Sequence, residues 1–350
     1  MKAEPELWRE HEKIWFDRLE KEHDNLSTAL EWSLSPQSGV GPQAGLRLVL
    51  AIDRFWRLKG YFSEAATWLE CFLSQPQVSE KPKLFADGLR LAAFCGFWWF
   101  SDYKSAREKF TRSLAIAEIE GDRLLLANVL SDFGIYFINL YAELQIAHRY
   151  VELQIAHGYL EQSLRIFNEL GNELGIAIAL RRLGHLASDH PTKLAYFQES
   201  LEVWKKLGNK SGIALVLMEL GRALAPSGQF TEGRSYLMES LGLFRELNPD
   251  YVNPLCLLVL GSVEFALGNI LQAKSYFEEM QDICLNYGCK NDEAKALTCL
   301  GEIYTYLEDY PIALSNFQEV QSILEEIPES IFTQCLGLPR LGIFYSRIGD

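Results

Sequence analysis

Two kinds of amphipathic stretch alternate along the chain. In the first, apolar residues fall three and four apart, as at Ile213, Leu217, Leu220 and Leu224 around Gly221, a spacing that places them on one face of a helix. A short polar or glycine-containing break follows. A second run of the same period then begins, such as "QAKSYFEEMQDICLNYG". Each pair reads as a helical hairpin, and the pattern predicts an all-α chain.

The hairpins recur. A glycine in an apolar setting stands at Gly96, Gly134, Gly184, Gly221, Gly261, Gly301 and Gly342, with steps of 38, 50, 37, 40, 40 and 41 residues. The irregular step contains a doublet, in which Glu143-Leu144-Gln145-Ile146-Ala147-His148 returns nine residues later as Glu152-Leu153-Gln154-Ile155-Ala156-His157. Without those nine residues the step is 41, so the doublet reads as a tandem duplication at 143–160 inside a repeat of about forty residues. Nine residues are about 2.5 helical turns, so the two copies face opposite ways. Leu153, Ala156, Leu160, Leu164 and Phe167 form one stripe, whereas Leu144, Ala147 and Val151 form the opposite one. The second copy is expected in phase with its unit, and the first is expected to overhang as extra helix. Residues 1–40 are a helical lead-in, and 41–350 are the array, whose last hairpin is incomplete at "RLGIFYSRIGD".

A glycine inside a helix costs about 1 kcal/mol against alanine. Its repeated use predicts close approach of the second helix near a small residue about twelve positions on, such as Ala273 or Ala313. Gly-Asn and Gly-Asp pairs in "LGNELG", "LGNKSG" and "EGDRLL" predict left-handed caps between hairpins. One such hairpin cannot bury its apolar face alone, but a stack can.

Composition narrows the function. The chain has 350 residues, 48% of them hydrophobic, with 33 Lys+Arg against 47 Asp+Glu and a formal net charge of -14. That balance argues against a nucleic-acid partner, which needs clustered basic residues. Seven cysteines without close pairing indicate reduced thiols rather than disulfides. A charged N-terminus without an apolar signal core, and no uninterrupted apolar run of about 20 residues, lead us to expect a cytoplasmic protein with no membrane partner.

The Leu-Gly of the first helix, an apolar or aromatic residue three on (Tyr304 after Gly301), an Ala twelve on and the apolar closure "ALSNFQEVQSIL" together resemble the tetratricopeptide repeat. The longer unit, and "WFDRLEKEHDNLSTALEWSLS" ahead of "GLRLVLAIDRFWRLKGYFSEAATWLECFLS", are similar to the MalT-like helical repeat region of large bacterial signal-transduction ATPases and LuxR-type transcription regulators. The resemblance covers essentially the whole chain. It implies a right-handed superhelical solenoid of tetratricopeptide-like hairpins, and an attached or neighbouring ATPase or DNA-binding domain. The chain itself has no G-x-x-x-x-G-K-[ST] loop and no basic recognition helix. We therefore expect a fragment, or a separately encoded remnant, of a longer regulator.

Candidate chemistry is sparse. His148 and His157 would point apart on one helix and share no metal. Cys284, Cys289 and Cys299 lack zinc-site spacing and read as buried thiols. His185, Asp189 and His190 lie around one helix end, where Asp189-His190-Pro191 reads as a turn between two helices rather than part of a ligand cluster. Trp98 and Trp99 read as packing between hairpins. There is no nucleophile elbow or phosphate loop, and no cofactor or metal site is expected.

If the glycine-bearing helices line a concave groove, the residues three before and one after each glycine face it. These are Ser131 and Ile135, Arg181 and His185, Met218 and Arg222, Leu258 and Ser262, and Thr298 and Glu302. Arg181, His185 and Arg222 would form a basic spot suited to a carboxylate or acidic peptide. The expected function is a noncatalytic sensor or scaffold that binds a protein, peptide or small effector in this groove and shifts the population of an attached domain. A constitutive protein–protein adaptor is the alternative. A third reading, an enzyme regulator on a helical-repeat scaffold, needs a clustered polar constellation that the sequence does not offer.

Overall fold

The structure, a computed structural model, describes residues 6–100, 102–144, 149–249 and 252–326. Among the described residues 86% are helical, in eighteen α-helices and two 3-10 turns, with no strand. It divides into two compact units, Met1–Ile213 and Ala214–Asp350.

Unit 1 opens with a 3-10 turn at Glu6–Trp8, then α1 (Glu12–Lys21), α2 (His23–Leu34), α3 (Pro42–Ala51), α4 (Asp53–Lys59), α5 (Phe62–Leu73) and α6 (Pro76–Ser79). Three long hairpins follow: α7 (Pro82–Phe100) with α8 (Tyr103–Ile119), α9 (Arg123–Leu144) with α10 (Arg149–Glu169), and α11 (Glu173–Leu186) with α12 (His190–Leu207). The boundary falls inside α13 (Lys210–Leu224). Unit 2 continues through α14 (Phe230–Leu247), α15 (Pro254–Ala266), α16 (Ile270–Tyr287), α17 (Lys290–Tyr306) and α18 (Tyr310–Glu326). Within each unit the first helices of successive hairpins touch one another, α7 on α9 on α11 and α15 on α17, so they form a layer.

Between hairpins, the Gly-Asn and Gly-Asp pairs divide the work of stopping one helix and starting the next. Gly208 ends α12 in the left-handed region at φ 67°, which a side chain disfavours. Its neighbour Asn209 then caps α13, accepting from the Gly212 amide at 2.6 Å. Asp122 and Asn172 do the same for α9 and α11, at 3.0 and 2.8 Å.

The lead-in shares unit 1's core: Leu7, Phe16 and Leu30 are buried in one cluster with Leu46, Phe55, Trp56 and Phe72. In the "EHDNL" stretch, His23 lies 2.9 Å from Glu64 of α5 and stacks on Tyr61, with ring centroids 4.5 Å apart. Of the stripe that starts in the second copy, Ala156, Leu160 and Phe167 are buried, while Val151 of the opposite stripe is exposed. Residues 145–148, where the first copy was expected to overhang and where His148 falls, lie outside the described residues. So does 327–350, the expected incomplete hairpin with Gly342.

The in-helix glycines mostly seat aromatic rings rather than backbone. A Cβ on Gly261 would come within 2.5 Å of the Phe277 ring, one on Gly184 within 2.5 Å of Phe197, and one on Gly301 within 2.8 Å of Phe317. Gly221 is the backbone crossing the pattern predicted, since its Cβ would meet the Gly233 carbonyl at 2.8 Å. Gly96 differs, with nothing closer than 3.9 Å. A second regularity is a buried serine on the later helix that donates to an alanine carbonyl of the earlier one. Ser113 bonds Ala86, Ser163 bonds Ala127, Ser200 bonds Ala177 and Ser240 bonds Ala214, all at 2.7–2.8 Å. One window, Arg123–Leu140 of α9, is long and apolar enough to cross a bilayer, and 67% of it is buried inside the protein. Phe133, Tyr136 and Phe137 of α9 anchor it in a core cluster with Phe97 and Phe110.

Candidate functional site

Three first helices of unit 1, and α4 ahead of them, carry charge where the repeat pattern calls for core. On α4, Asp53 holds Arg57 (Nε to Oδ1 2.8 Å), whose guanidinium lies 4.5 Å over the Phe94 ring of α7. On α7, Asp87 holds Arg90 at 2.7 Å, and Arg90 also reaches Asp132 of α9. From the other side, Arg182 of α11 donates to Asp132 Oδ1 at 2.6 Å and to Ser131 Oγ at 2.6 Å. Asp132 and Arg182 are each 5% exposed. Burial alone pushes the Asp132 carboxyl up, but Arg182, Arg90 and Arg57 outweigh it and hold the group below its usual range.

A second cluster adjoins the first through Arg54, next to Asp53 on α4. The carboxylate of Glu12, at the start of α1, is fully buried and accepts from Ser211 N (2.7 Å), Ser211 Oγ (2.7 Å) and Asn209 Nδ2 (3.0 Å). Arg54 donates to the same Ser211 hydroxyl and lies 4.4 Å over the Trp8 ring, which stacks on Trp204 at 6.5 Å. Burial, with Arg57 and Arg181 nearby, lowers the Arg54 pKa to about 10 despite Glu12 and Asp53. Apolar residues in place of buried ion pairs are often as stable or more so. Such pairs therefore point to use rather than to stability.

Within each unit the sequence-predicted groove residues differ in burial. Ser131 is buried and taken up by Arg182. Met218 is buried with Leu237, Leu241 and Cys256, and Thr298 is buried on its own helix, donating to the Ala294 carbonyl at 2.7 Å. Ile135 is buried as well. Three residues before Gly134, Gly221 and Gly301, then, the side chain points into helix packing, whereas Arg181 and Leu258 at the same position are half-buried. Arg181 and His185 are half-buried together at 3.4 Å, with His185 edge-on to Phe197. Arg222 is exposed and held by Glu219 at 2.7 Å. Ser262 is exposed and bonded to Leu258 O, while Glu302 is half-buried. Within unit 1 Arg181 meets His185, and within unit 2 Arg222 meets Glu219.

The charges lie two residues before the glycine instead, at Asp132, Arg182 and Glu219. A charge embedded in apolar runs such as "VLSDFG", "ALRRLG" and "LMELG" was the available signal. Asp189 caps α12, accepting from Thr192 N at 2.9 Å, and residues 187–189 connect α11, which holds His185, to α12, which begins at His190. Cys284 is buried, whereas Cys289 and Cys299 are half-buried; the Cys289 thiol and burial push the Cys284 pKa well up. Trp98 is half-exposed and stacks on Phe94 of its own helix at 5.7 Å. Among the described residues no group of three or more His, Cys, Asp or Glu is placed to hold a metal.

No family model matches the sequence, and no curated protein matches it. Solved structures share the fold. A signal transduction ATPase with numerous domains, carrying a tetratricopeptide repeat sensor, from Pyrococcus horikoshii aligns with a TM-score of 0.58 at 16% identity. It covers 97% of this chain, and this chain spans half (50%) of its length. A Rap protein complexed with competence and sporulation factor aligns at 0.60 and 14% identity, over 95% of this chain and 96% of that one. Aspartyl phosphate phosphatase F from Bacillus subtilis aligns at 0.51 and 12% identity, over 88% and 89%. The fold is a tetratricopeptide-like array of helical hairpins.

Proposed function

We propose that the chain is a noncatalytic helical-repeat module that binds a protein or peptide, and that the first-helix layer of unit 1 is its binding surface. The carrying observation is the ladder from Asp53 to Arg182, buried at its Asp132–Arg182 end, with Arg54 and Glu12 beside it: four arginines among three aspartates and a glutamate, inside a chain of net charge -14. Charge placed there at a cost in burial suits a ligand bearing carboxylates, which guanidinium groups grip bidentately.

The regulator context belongs to the same proposal. The Pyrococcus protein joins a repeat sensor to an ATPase, and the Rap protein was solved with a bound factor. Both support a sensor whose occupancy biases a neighbouring ATPase or DNA-binding domain. The test replaces Arg90, Asp132 and Arg182 together by Met, Leu and Met. Such a swap is expected to leave thermal stability near wild type or above it, while binding to an array of acidic peptides is lost. A folded triple variant that binds the array as wild type does would refute the assignment of the surface.

A further inference from the structure

The stretch from Leu7 to Glu12 sits on unit 1 in the manner of a bound peptide. Leu7 is 1% exposed, Trp8 is held between Arg54 and Trp204, and Glu12 is sunk among Asn209 and Ser211, 197 and 199 residues further along. The Glu10 Cβ faces Gly208, where an added Cβ would lie 3.2 Å away. Every contact belongs to unit 1. Each is also a ligand-type contact: a carboxylate at the start of α13, where backbone N–H groups point outward, and an indole against a guanidinium.

The fit is incomplete. Arg54 Nε, Trp204 Nε1 and Arg182 Nε are buried with no hydrogen-bond partner among the described residues. Arg54 is 8% exposed, Arg182 5% and Trp204 3%. Buried donors of this kind are normally satisfied. A surface shaped only to receive its own lead-in has no reason to leave the Arg54 and Trp204 donors open; one shaped for a ligand richer in acceptors does.

We infer that Arg54, Trp204, Asn209 and Ser211 form a binding site for an acidic aromatic peptide segment, with an aromatic side chain followed one helical turn later by a carboxylate. Residues Glu6–Glu12 occupy this site in cis, and a partner protein's segment of the same chemistry exchanges with them. The inference rests on the interaction-module reading and names its ligand. Tethering supplies the cis segment at roughly millimolar effective concentration, so the intact chain resists a free competitor until that segment is weakened or outbid.

The test uses the full chain and a labelled, end-blocked peptide of residues 6–13, read by fluorescence anisotropy. The double variant Trp8→Ala/Glu12→Gln should bind it at least about tenfold more tightly than wild type, and adding Arg54→Ala should remove that gain. Circular dichroism establishes that each variant is folded. Should the double variant unfold, wild type is instead given millimolar peptide and followed by hydrogen exchange. Faster exchange at residues 7–12 supports displacement, and unchanged exchange overturns it. A folded double variant that binds no better than wild type also overturns the inference. If that variant still binds other acidic peptides through unit 1, the module reading survives; if no variant binds any peptide, both fail.

Discussion

The two units stack hairpins in the same way and treat buried charge differently. In unit 1 both members of the central pair are hidden, with the Asp132 side chain 7% exposed and that of Arg182 6%. In unit 2 two buried carboxylates meet arginines that reach water: Glu264 (0%) with Arg234 (44%), and Glu219 (4%) with Arg222 (44%). One core cluster of unit 2 is rich in sulfur, with Met218, Cys256, Met280 and Cys284 together. Even the serine rung gives way: Met280 and Val320, both buried, stand forty and eighty residues after Ser240. The same hairpin scaffold is therefore built in unit 2 with its buried carboxylates paired outward, and in unit 1 with the Asp132–Arg182 pair turned inward.

The sharpest way to break the comparison is Asp132→Ala. It strands Arg182 and Arg90 in the interior and is expected to cost about 3–5 kcal/mol, measured by urea denaturation. Next come substitutions that should not distinguish the units at all. Gly184→Ala and Gly261→Ala both drive a Cβ to 2.5 Å from a phenylalanine ring. Each is expected to cost about 1–3 kcal/mol by the same measurement. Arg234→Ala in unit 2 should cost only about 1 kcal/mol, because water enters where the half-exposed arginine stood and Asn269 still holds Glu264 at 2.7 Å. Gly96→Ala, with no neighbour closer than 3.9 Å, should gain up to about 1 kcal/mol in thermal melting.

Acid separates the units by sign. Asp132 is depressed below its usual 3.8, so its stabilising contribution is complete above that value and is lost as pH falls through the lower folded one. Glu293 of α17 is raised above its usual 4.5, by burial first and then by Glu319 and Glu326 against Lys290. Its ionised form strains the fold at neutral pH, so unit 2 gains stability as pH falls from the folded value toward 4.5. Hydrogen exchange from pH 7 to 3 should show unit 2 amides better protected near pH 4.5 than at neutrality. Unit 1 amides should lose protection below pH 4, and Asp132→Asn should remove that loss.

Much of the fold was legible because its signals are local and repeated. Apolar spacing gave the hairpins, and glycine spacing gave the forty-residue unit. Gly208-Asn209 marked a helix boundary that the structure places at the same residues. The site was harder to see because one residue turns a helix face by about 100°. A register set three residues before the glycine selected Ser131, Met218 and Thr298, all buried, and passed over Asp132 and Arg182 beside them. Glu12 carried no signal at all. Nothing local says that a carboxylate in the lead-in will meet Ser211, 199 residues away.

The account rests on unit 1 being the surface that receives a ligand. The most direct measurement is hydrogen exchange across the whole chain as the 6–13 peptide is titrated into the Trp8→Ala/Glu12→Gln variant. We predict slower exchange at residues 52–58 and 204–213, and no change in α15–α18. Protection confined to unit 2, or no protection in a folded chain that binds the peptide, would contradict the account.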